Sequence, residues 1–187
     1  MVGLLLASGR GRRFDPSGQR NKLLAVLADG RPVLRAAAEH LCAALSEVAI
    51  VLPFEDTTLP TCVEGLEITI VRNPRAAEGM SHSIAVGVSR FPHARGWMVA
   101  LGDMPYINYL SIRTVAGALS STDTIVAPVY GGRRGHPVAF GASHFLELCE
   151  LSGDHGARAL LAQHPVKEVP LEDPGILRDI DTPWDFS

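Results

Sequence analysis

Two groups of residues in this 187-residue sequence have types and spacing suited to chemistry: cations clustered on glycines, and carboxylates placed behind apolar runs. The stretch Val2-Gly-Leu-Leu-Leu-Ala-Ser-Gly-Arg-Gly-Arg-Arg-Phe14 passes from a continuous apolar run into a glycine-rich turn. Arg10, Arg12, Arg13, Arg20 and Lys22 crowd into that turn and its continuation, opposed there only by Asp15. A glycine turn rich in cations, directly after a buried strand, is what a bound polyphosphate requires. The competing reading is a surface turn with solvated arginines. Two familiar glycine loops are excluded. Gly11 is followed by Arg12 and Arg13 instead of the Lys-Ser/Thr of a Walker A loop, and Phe14 stands where a dinucleotide fingerprint needs its third glycine.

The carboxylates come later. Asp103 follows the apolar run Trp97–Leu101 at once, in Gly102-Asp103-Met104-Pro105. There it can hold Mg²⁺, which takes one or two carboxylates plus phosphate oxygens, or simply cap a turn. Asp173 to Asp185 is dense in acids, and Asp179 and Asp181, two apart, share a face if the segment is extended. A second metal carboxylate can come from here; the alternative is a solvated turn ahead of Pro183. Gly135-His136-Pro137 suits the wall of a second substrate's pocket, although a lone histidine is more often structural. Arg158 either binds an anion or pairs with Asp154 four residues earlier. No Ser-His-Asp or Cys-His order and no HExxH motif stands out. A polyphosphate site with metal carboxylates and no protein nucleophile suits nucleotidyl transfer, in which the second substrate attacks and the protein positions and neutralises charge.

The elements that must position these groups alternate. Leu4–Leu6 reads as a strand buried on both faces. Arg31 to Leu45 is a helix with Pro32 in its first turn. Val48–Leu52 is a second strand, Thr57–Val63 a short helix, and Ile68–Val71 a third strand stopped by Asn73-Pro74. Ser81 is expected to cap a helix reaching about Arg90. Trp97–Leu101 is the fourth strand, Asn108 caps a helix to about Leu119, and Thr124–Ala127 is a fifth strand closed by Pro128. Gly131 to Gly135 is read as the turn of a small hairpin outside the parallel core. Helices at about Ser143–Leu151 and His155–His164 and a late strand at Val166–Val169 complete the chain. Such alternation means an α/β fold, a mostly parallel sheet flanked by helices. Ligands of such sheets lie beyond the carboxyl ends of the strands, where Ser8–Lys22, Asn73–Ser83 and Gly102–Pro105 converge.

Length and composition bound the rest. One domain over 1–187 is expected, with 47% hydrophobic residues for a core. A net charge of −3 and a pI near 6.1 argue against nucleic-acid binding. Cys42, Cys62 and Cys149 are odd in number and widely spaced, which suggests neither a disulfide framework nor a zinc knuckle and fits a cytoplasmic setting. The first apolar run is too short to span a membrane, so no membrane association is expected.

Taken together, the motifs resemble the nucleotidyltransferases related to the molybdenum cofactor guanylyl- and cytidylyltransferases. The resemblance rests on Leu6-Ala7-Ser8-Gly9, Arg13-Phe14 with the later Lys22, and Gly102-Asp-Met-Pro105. Asn73-Pro74, Gly79-Met-Ser-His-Ser83, Gly135-His-Pro137, Gly153-Asp-His-Gly-Ala-Arg158 and Asp179-Ile-Asp-Thr-Pro183 match the cytidylyltransferase-like branch and carry it across nearly the whole chain. It implies a single-domain, Rossmann-like nucleotidyltransferase that moves CMP from CTP to a molybdopterin-type cofactor with Mg²⁺, releasing pyrophosphate. It implies Arg13, Lys22 and Asp103 as catalytic residues and Asp103 and Asp181 as metal ligands. For the nucleotide it implies Leu6, Ala7, Ser8, Gly9, Arg13, Lys22, Asn73, Gly79, Met80, Ser81 and Ser83, and for the second substrate Gly135, His136, Pro137 and Arg158. Asp179 and Asp185 are expected to tolerate change better than Asp103 and Asp181. A monomer is expected, handing product to a molybdenum hydroxylase or its maturation chaperone. Ser8 stands where Ala is usual, and the loop before Lys22 is longer than usual; both bear on base choice. The alternatives are another phosphorylated acceptor, GTP as donor, or a cofactor-binding chaperone of low turnover.

Overall fold

The computed structural model describes residues 1–9, 14–15, 17, 20–182 and 184–185. Arg10, Arg12 and Arg13 of the cation cluster and Pro183 lie outside the described residues. The chain opens with β1 (Val2–Leu6), then α1 (Val33–Ala44), β2 (Val48–Pro53), α2 (Leu59–Cys62), β3 (Thr69–Asn73), α3 (Met80–Ser89) and β4 (Gly96–Leu101). It continues with α4 (Tyr109–Ala118), β5 (Ile125–Tyr130), β6 (Arg133–Arg134), β7 (Val138–Gly141), α5 (Phe145–Cys149), α6 (Arg158–Gln163) and β8 (Val166–Pro170).

All described strands join one sheet, in the order β3-β2-β1-β4-β7-β5-β6, with β8 also paired to β5. Strands β1 to β4 pair in parallel, in registers such as Leu5↔Ile50 and Leu5↔Ala100. The parallel sheet with crossover helices is therefore as expected, but the hairpin is not an excursion from it. After the turn at Gly131-Gly132, the return strand β7 enters the middle of the sheet, antiparallel to both β4 and β5. Because β7 runs backwards, its first residues, preceded by Gly135-His136-Pro137, lie at the carboxyl edge of the parallel strands.

Pro128 also departs from expectation. It sits inside β5, which continues to Tyr130. The proline falls where the partner on that side of β5 changes, between Val126↔Ala139 in β7 and Val129↔Arg134 in β6. There the Pro128 carbonyl still accepts from Gly135 N at 2.9 Å, while the proline nitrogen has no hydrogen to return. Ser81 is likewise not a cap. The helix begins one residue earlier, and the Ser81 hydroxyl donates to the Gly156 carbonyl at 3.2 Å. Asn108 does cap α4, its side chain accepting from Leu110 N at 2.9 Å. The helices predicted at 143–151 and 155–164 are shorter than expected.

Period-two alternation splits the core between the two faces of the sheet. Leu5, Ile50, Met98, Val126 and Ala139 pack with α1 and α4. Leu4, Val51, Trp97, Val99 and Phe140 pack on the other face with α3, α5 and α6. Both faces are covered, which is why the β1 and β4 sequences read as apolar runs. Each fully buried aliphatic side chain contributes roughly 1.5–3 kcal/mol. The cysteines are free, and Ser89 Oγ donates to Cys149 Sγ at 3.2 Å. No helix among the described residues is long and apolar enough to cross a membrane.

Candidate active site

Along the carboxyl edge runs a cavity of about 1000 Å³. Its floor comes from the end of β1, where Leu6, Ser8 and Gly9 line it. The Ser8 hydroxyl donates to the Val51 carbonyl at 3.0 Å, so it ties this turn to β2 and keeps only acceptor lone pairs for a ligand. Lys22 stands beside the floor on a short 3-10 turn whose cap, Asn21, accepts from Leu23 N.

Lys22 is the pivot of the site. Its ammonium donates to Asp103 Oδ2 at 2.6 Å and to Asp181 Oδ1 at 3.1 Å, with only 9% of the side chain exposed. Burial pushes the ammonium toward neutrality, but the two carboxylates outweigh it and hold its pKa above the usual lysine value. Asp103 stands just past the end of β4. Asp181 comes from a C-terminal segment tied down at several points. Asp173 accepts from Asn108 N at 3.0 Å, from Ser111 Oγ at 2.6 Å and from Gly175 N at 2.9 Å. His136 N donates to Ile176 O at 2.9 Å, and Ile180 N to Asp103 O at 2.8 Å. The segment passes so close to Gly135 that any Cβ there would stand 2.2 Å from Ile176 O.

Asp179 joins the pair. Among the described residues, Asp103, Asp179 and Asp181 each offer a carboxylate oxygen within 4.8 Å of the others. Partial burial, then the Asp181 and Asp103 charges, raise the Asp179 carboxyl above the usual range, although its side chain reaches solvent. Three carboxylates against one ammonium is a donor set for a hard divalent cation. Asp185 has a different part. Its Oδ2 accepts from Asp181 N, Thr182 N and Thr182 Oγ1 at 3.0, 2.6 and 2.9 Å, shaping the turn that presents Asp181.

On the far wall, Gly79, Met80 and Ser83 line the cavity. Gly79 has φ +113°, and a Cβ there would meet Asp154 Oδ1 at 2.1 Å, so the start of α3 and the 153–156 corner close on one another only through a glycine. Ser81 and Asn73 lie behind this wall. Asn73 is fully buried and its side chain is engaged by Ser83 Oγ at 3.1 Å and Arg75 N at 2.9 Å, so it braces Ser83 from behind. Ala7 and Pro137 are also outside the lining. Gly135, His136 and Arg158 line the remaining side. Burial lowers the His136 pKa, so the ring is neutral, and its Nδ1 is buried without a partner among the described residues. Arg133, Arg134 and His155 also line the cavity. Their type was visible in the sequence, but only the β5–β6 hairpin turns the two arginines toward the cleft.

The sequence matches the MobA-like NTP transferase domain over residues 3–169. The chain belongs to that family. This MobA-like chain is 27% identical over 119 residues to the molybdenum cofactor cytidylyltransferase of Escherichia coli, covering 64% of the chain and 60% of that protein. It is 34% identical over 109 residues to the bifunctional enzyme IspD/IspF of Gluconobacter oxydans, covering 56% of the chain and 24% of that enzyme. The match thus spans less than two thirds of either relative. Among solved structures, Rv0371c of Mycobacterium tuberculosis H37Rv superposes with a TM-score of 0.80 at 26% identity, covering 100% of this chain and 95% of that one. The same protein has been solved as a complex with manganese. The family is one of nucleotidyltransferases.

Proposed function

We propose that this chain transfers CMP from CTP to a molybdopterin-type cofactor in a Mg²⁺-dependent reaction that releases pyrophosphate. The observation that carries the nucleotidyl-transfer part is Lys22, held between Asp103 and Asp181 beside the β1 turn. The turn's backbone and Lys22, with Arg13, bind the phosphates. Met80, Ser83 and the Gly79 turn face the nucleoside, and Gly135, His136 and Arg158 receive the acceptor. A phosphate oxygen of the acceptor attacks the α-phosphorus, the P–O bond to the β-phosphate breaks, and pyrophosphate leaves. Asp103 and Asp181, with Asp179 beside them, fit a hard divalent ion, which supplies charge neutralisation on the triphosphate. Lys22 holds the carboxylates apart from one another's repulsion and adds a donor for phosphate oxygen.

The cytidylyltransferase among the relatives favours this acceptor, and another phosphorylated acceptor is the alternative reading. The deciding measurement is pyrophosphate release with CTP or GTP, Mg²⁺, and either molybdopterin cofactor or a panel of polyol and sugar phosphates. CTP with the molybdopterin cofactor is expected to turn over best, and Asp103→Asn or Asp181→Asn to abolish it without unfolding the protein. Faster turnover of a polyol phosphate would move the acceptor assignment. Full activity of either Asn variant would remove the metal assignment, and cofactor binding without turnover would leave a delivery chaperone.

A further inference from the structure

The amino edge of the sheet, opposite the cleft, holds a second group of ligating side chains. His144 follows β7, His164 precedes β8, and Asp123 lies just before β5, so three strand ends bring them together. A cavity of about 640 Å³ opens over them. His144 Nδ1 lies 3.0 Å from Glu147 Oε2, and His164 Nε2 lies 2.9 Å from Glu147 Oε1. The three residues each offer a ligand atom within 4.8 Å of the others. Strands β5 and β8 separate this group from the nucleotide cleft by on the order of 15 Å.

The hydrogen bonding decides what the group can do. His144 is 4% exposed, and its Nε2 lies 3.0 Å from the Asp123 carbonyl. A carbonyl only accepts, so Nε2 carries a proton, and Nδ1 is the ring atom that faces the Glu147 carboxylate. A backbone carbonyl fixing the outer ring N–H is also the arrangement that orients a metal-binding imidazole. The second imidazole meets the other oxygen of the same carboxylate. Lys167, the nearby cation lining the cavity, is drawn off to the Ala118 carbonyl at 2.9 Å.

We propose that His144, Glu147 and His164 form a binding site for a zinc-class divalent ion, separate from the oxygen-lined site in the nucleotide cleft. Two imidazole nitrogens and one carboxylate suit zinc or cobalt and not magnesium, which takes oxygen ligands. The cavity leaves the remaining positions to water. The bound ion links the start of α5 to the segment between α6 and β8, whose ligands Glu147 and His164 lie seventeen residues apart in sequence with α6 between them.

The test titrates the full chain with Co²⁺ in excess Mg²⁺, reading the visible ligand-field absorption, and repeats it with Zn²⁺ in a thermal-unfolding assay. One Co²⁺ per chain and a rise in Tm with Zn²⁺ are expected. Glu147→Gln and His164→Gln, at partly exposed positions that tolerate change, are each expected to weaken Co²⁺ binding by at least ~100-fold, since losing even an outer-shell partner costs up to that much. Asp103→Asn is expected to leave it unchanged. Loss of the signal in Asp103→Asn, retention of it in both His164→Gln and Glu147→Gln, or no cobalt signal in the wild type overturns the proposal, the last leaving a hydrogen-bonded clasp. Pyrophosphate release by His164→Gln is read separately, so failure of the transfer reaction and of the second site are distinguishable.

Discussion

At the residue scale the site turns on one side chain. Lys22 is a buried cation whose presence lets two carboxylates stand close together. Replacing it with a neutral isostere leaves both acids uncompensated. Breaking a fully buried ion pair costs about 3–5 kcal/mol, but Asp103 and Asp181 each keep 21% of their side-chain surface in water. Lys22→Met is therefore expected to cost at most about 3 kcal/mol in denaturant unfolding and to lower kcat/KM for the triphosphate by about 100-fold, the loss of a charged donor to phosphate. Wild-type kinetics in Lys22→Met would show that the lysine is only a structural counter-ion. Arg13→Ala is expected to weaken triphosphate use in the same assay.

At the element scale the C-terminal segment is what completes the site. It carries Asp179 and Asp181 and holds one short 3-10 turn, Pro174–Leu177, capped by Asp173; the rest of its order comes from the His136 and Ile180 amides and from contact at Gly135. Asp173 is remote from the reacting groups, yet its carboxylate fastens the segment to the start of α4. Asp173→Ala is expected to destabilise the protein by about 1–3 kcal/mol. Activity should fall further than stability explains, because Asp181 is no longer held to Lys22. Gly135→Ala is expected to do the same by steric means, with triphosphate binding at the β1 turn less affected than kcat. Fluorescence-detected nucleotide binding beside turnover separates the two effects; equal losses in both would mean that the segment acts on the nucleotide site as well.

At the scale of the whole molecule, both faces of the sheet are covered, and acid titration probes one of the covering layers. His40, on α1, has its Nδ1 buried without a partner among the described residues. Burial, with help from Arg31, pulls its pKa below the ordinary histidine value. The unfolded chain therefore takes up a proton at His40 before the folded chain does. Its contribution to stability is complete above the unfolded value near 6.5 and is lost as pH falls below that. Unfolding free energy is expected to drop between pH 7 and pH 5, and His40→Gln to flatten that slope. An unchanged slope in His40→Gln would assign the loss to other groups, such as His136, which burial shifts in the same direction.

Read alone, the sequence determined the alternation of strands and helices, the parallel sheet, and the three segments that meet at its carboxyl edge. These follow from local properties: continuous apolar runs, caps such as Asn108, and breaks such as Asn73-Pro74. It also identified Asp103, Asp181 and Lys22 by type, through their position after apolar runs and in a known order of motifs. Tertiary structure decided the rest. That β7 would turn back into the middle of the sheet, and that Pro128 would lie inside a strand, depend on which strands become neighbours, and no local pattern encodes that. That Ser81 and Asn73 would brace the wall instead of facing the cleft depends on the 153–156 corner and on Ser83, each meeting its partner only after packing. That Asp179 would join the cluster, and that Asp185 would shape the turn below it, followed from the docking of a C-terminal segment that has only one short 3-10 turn of its own. The His144–Glu147–His164 group needed three strand ends to converge, a consequence of pairing between strands distant in the chain.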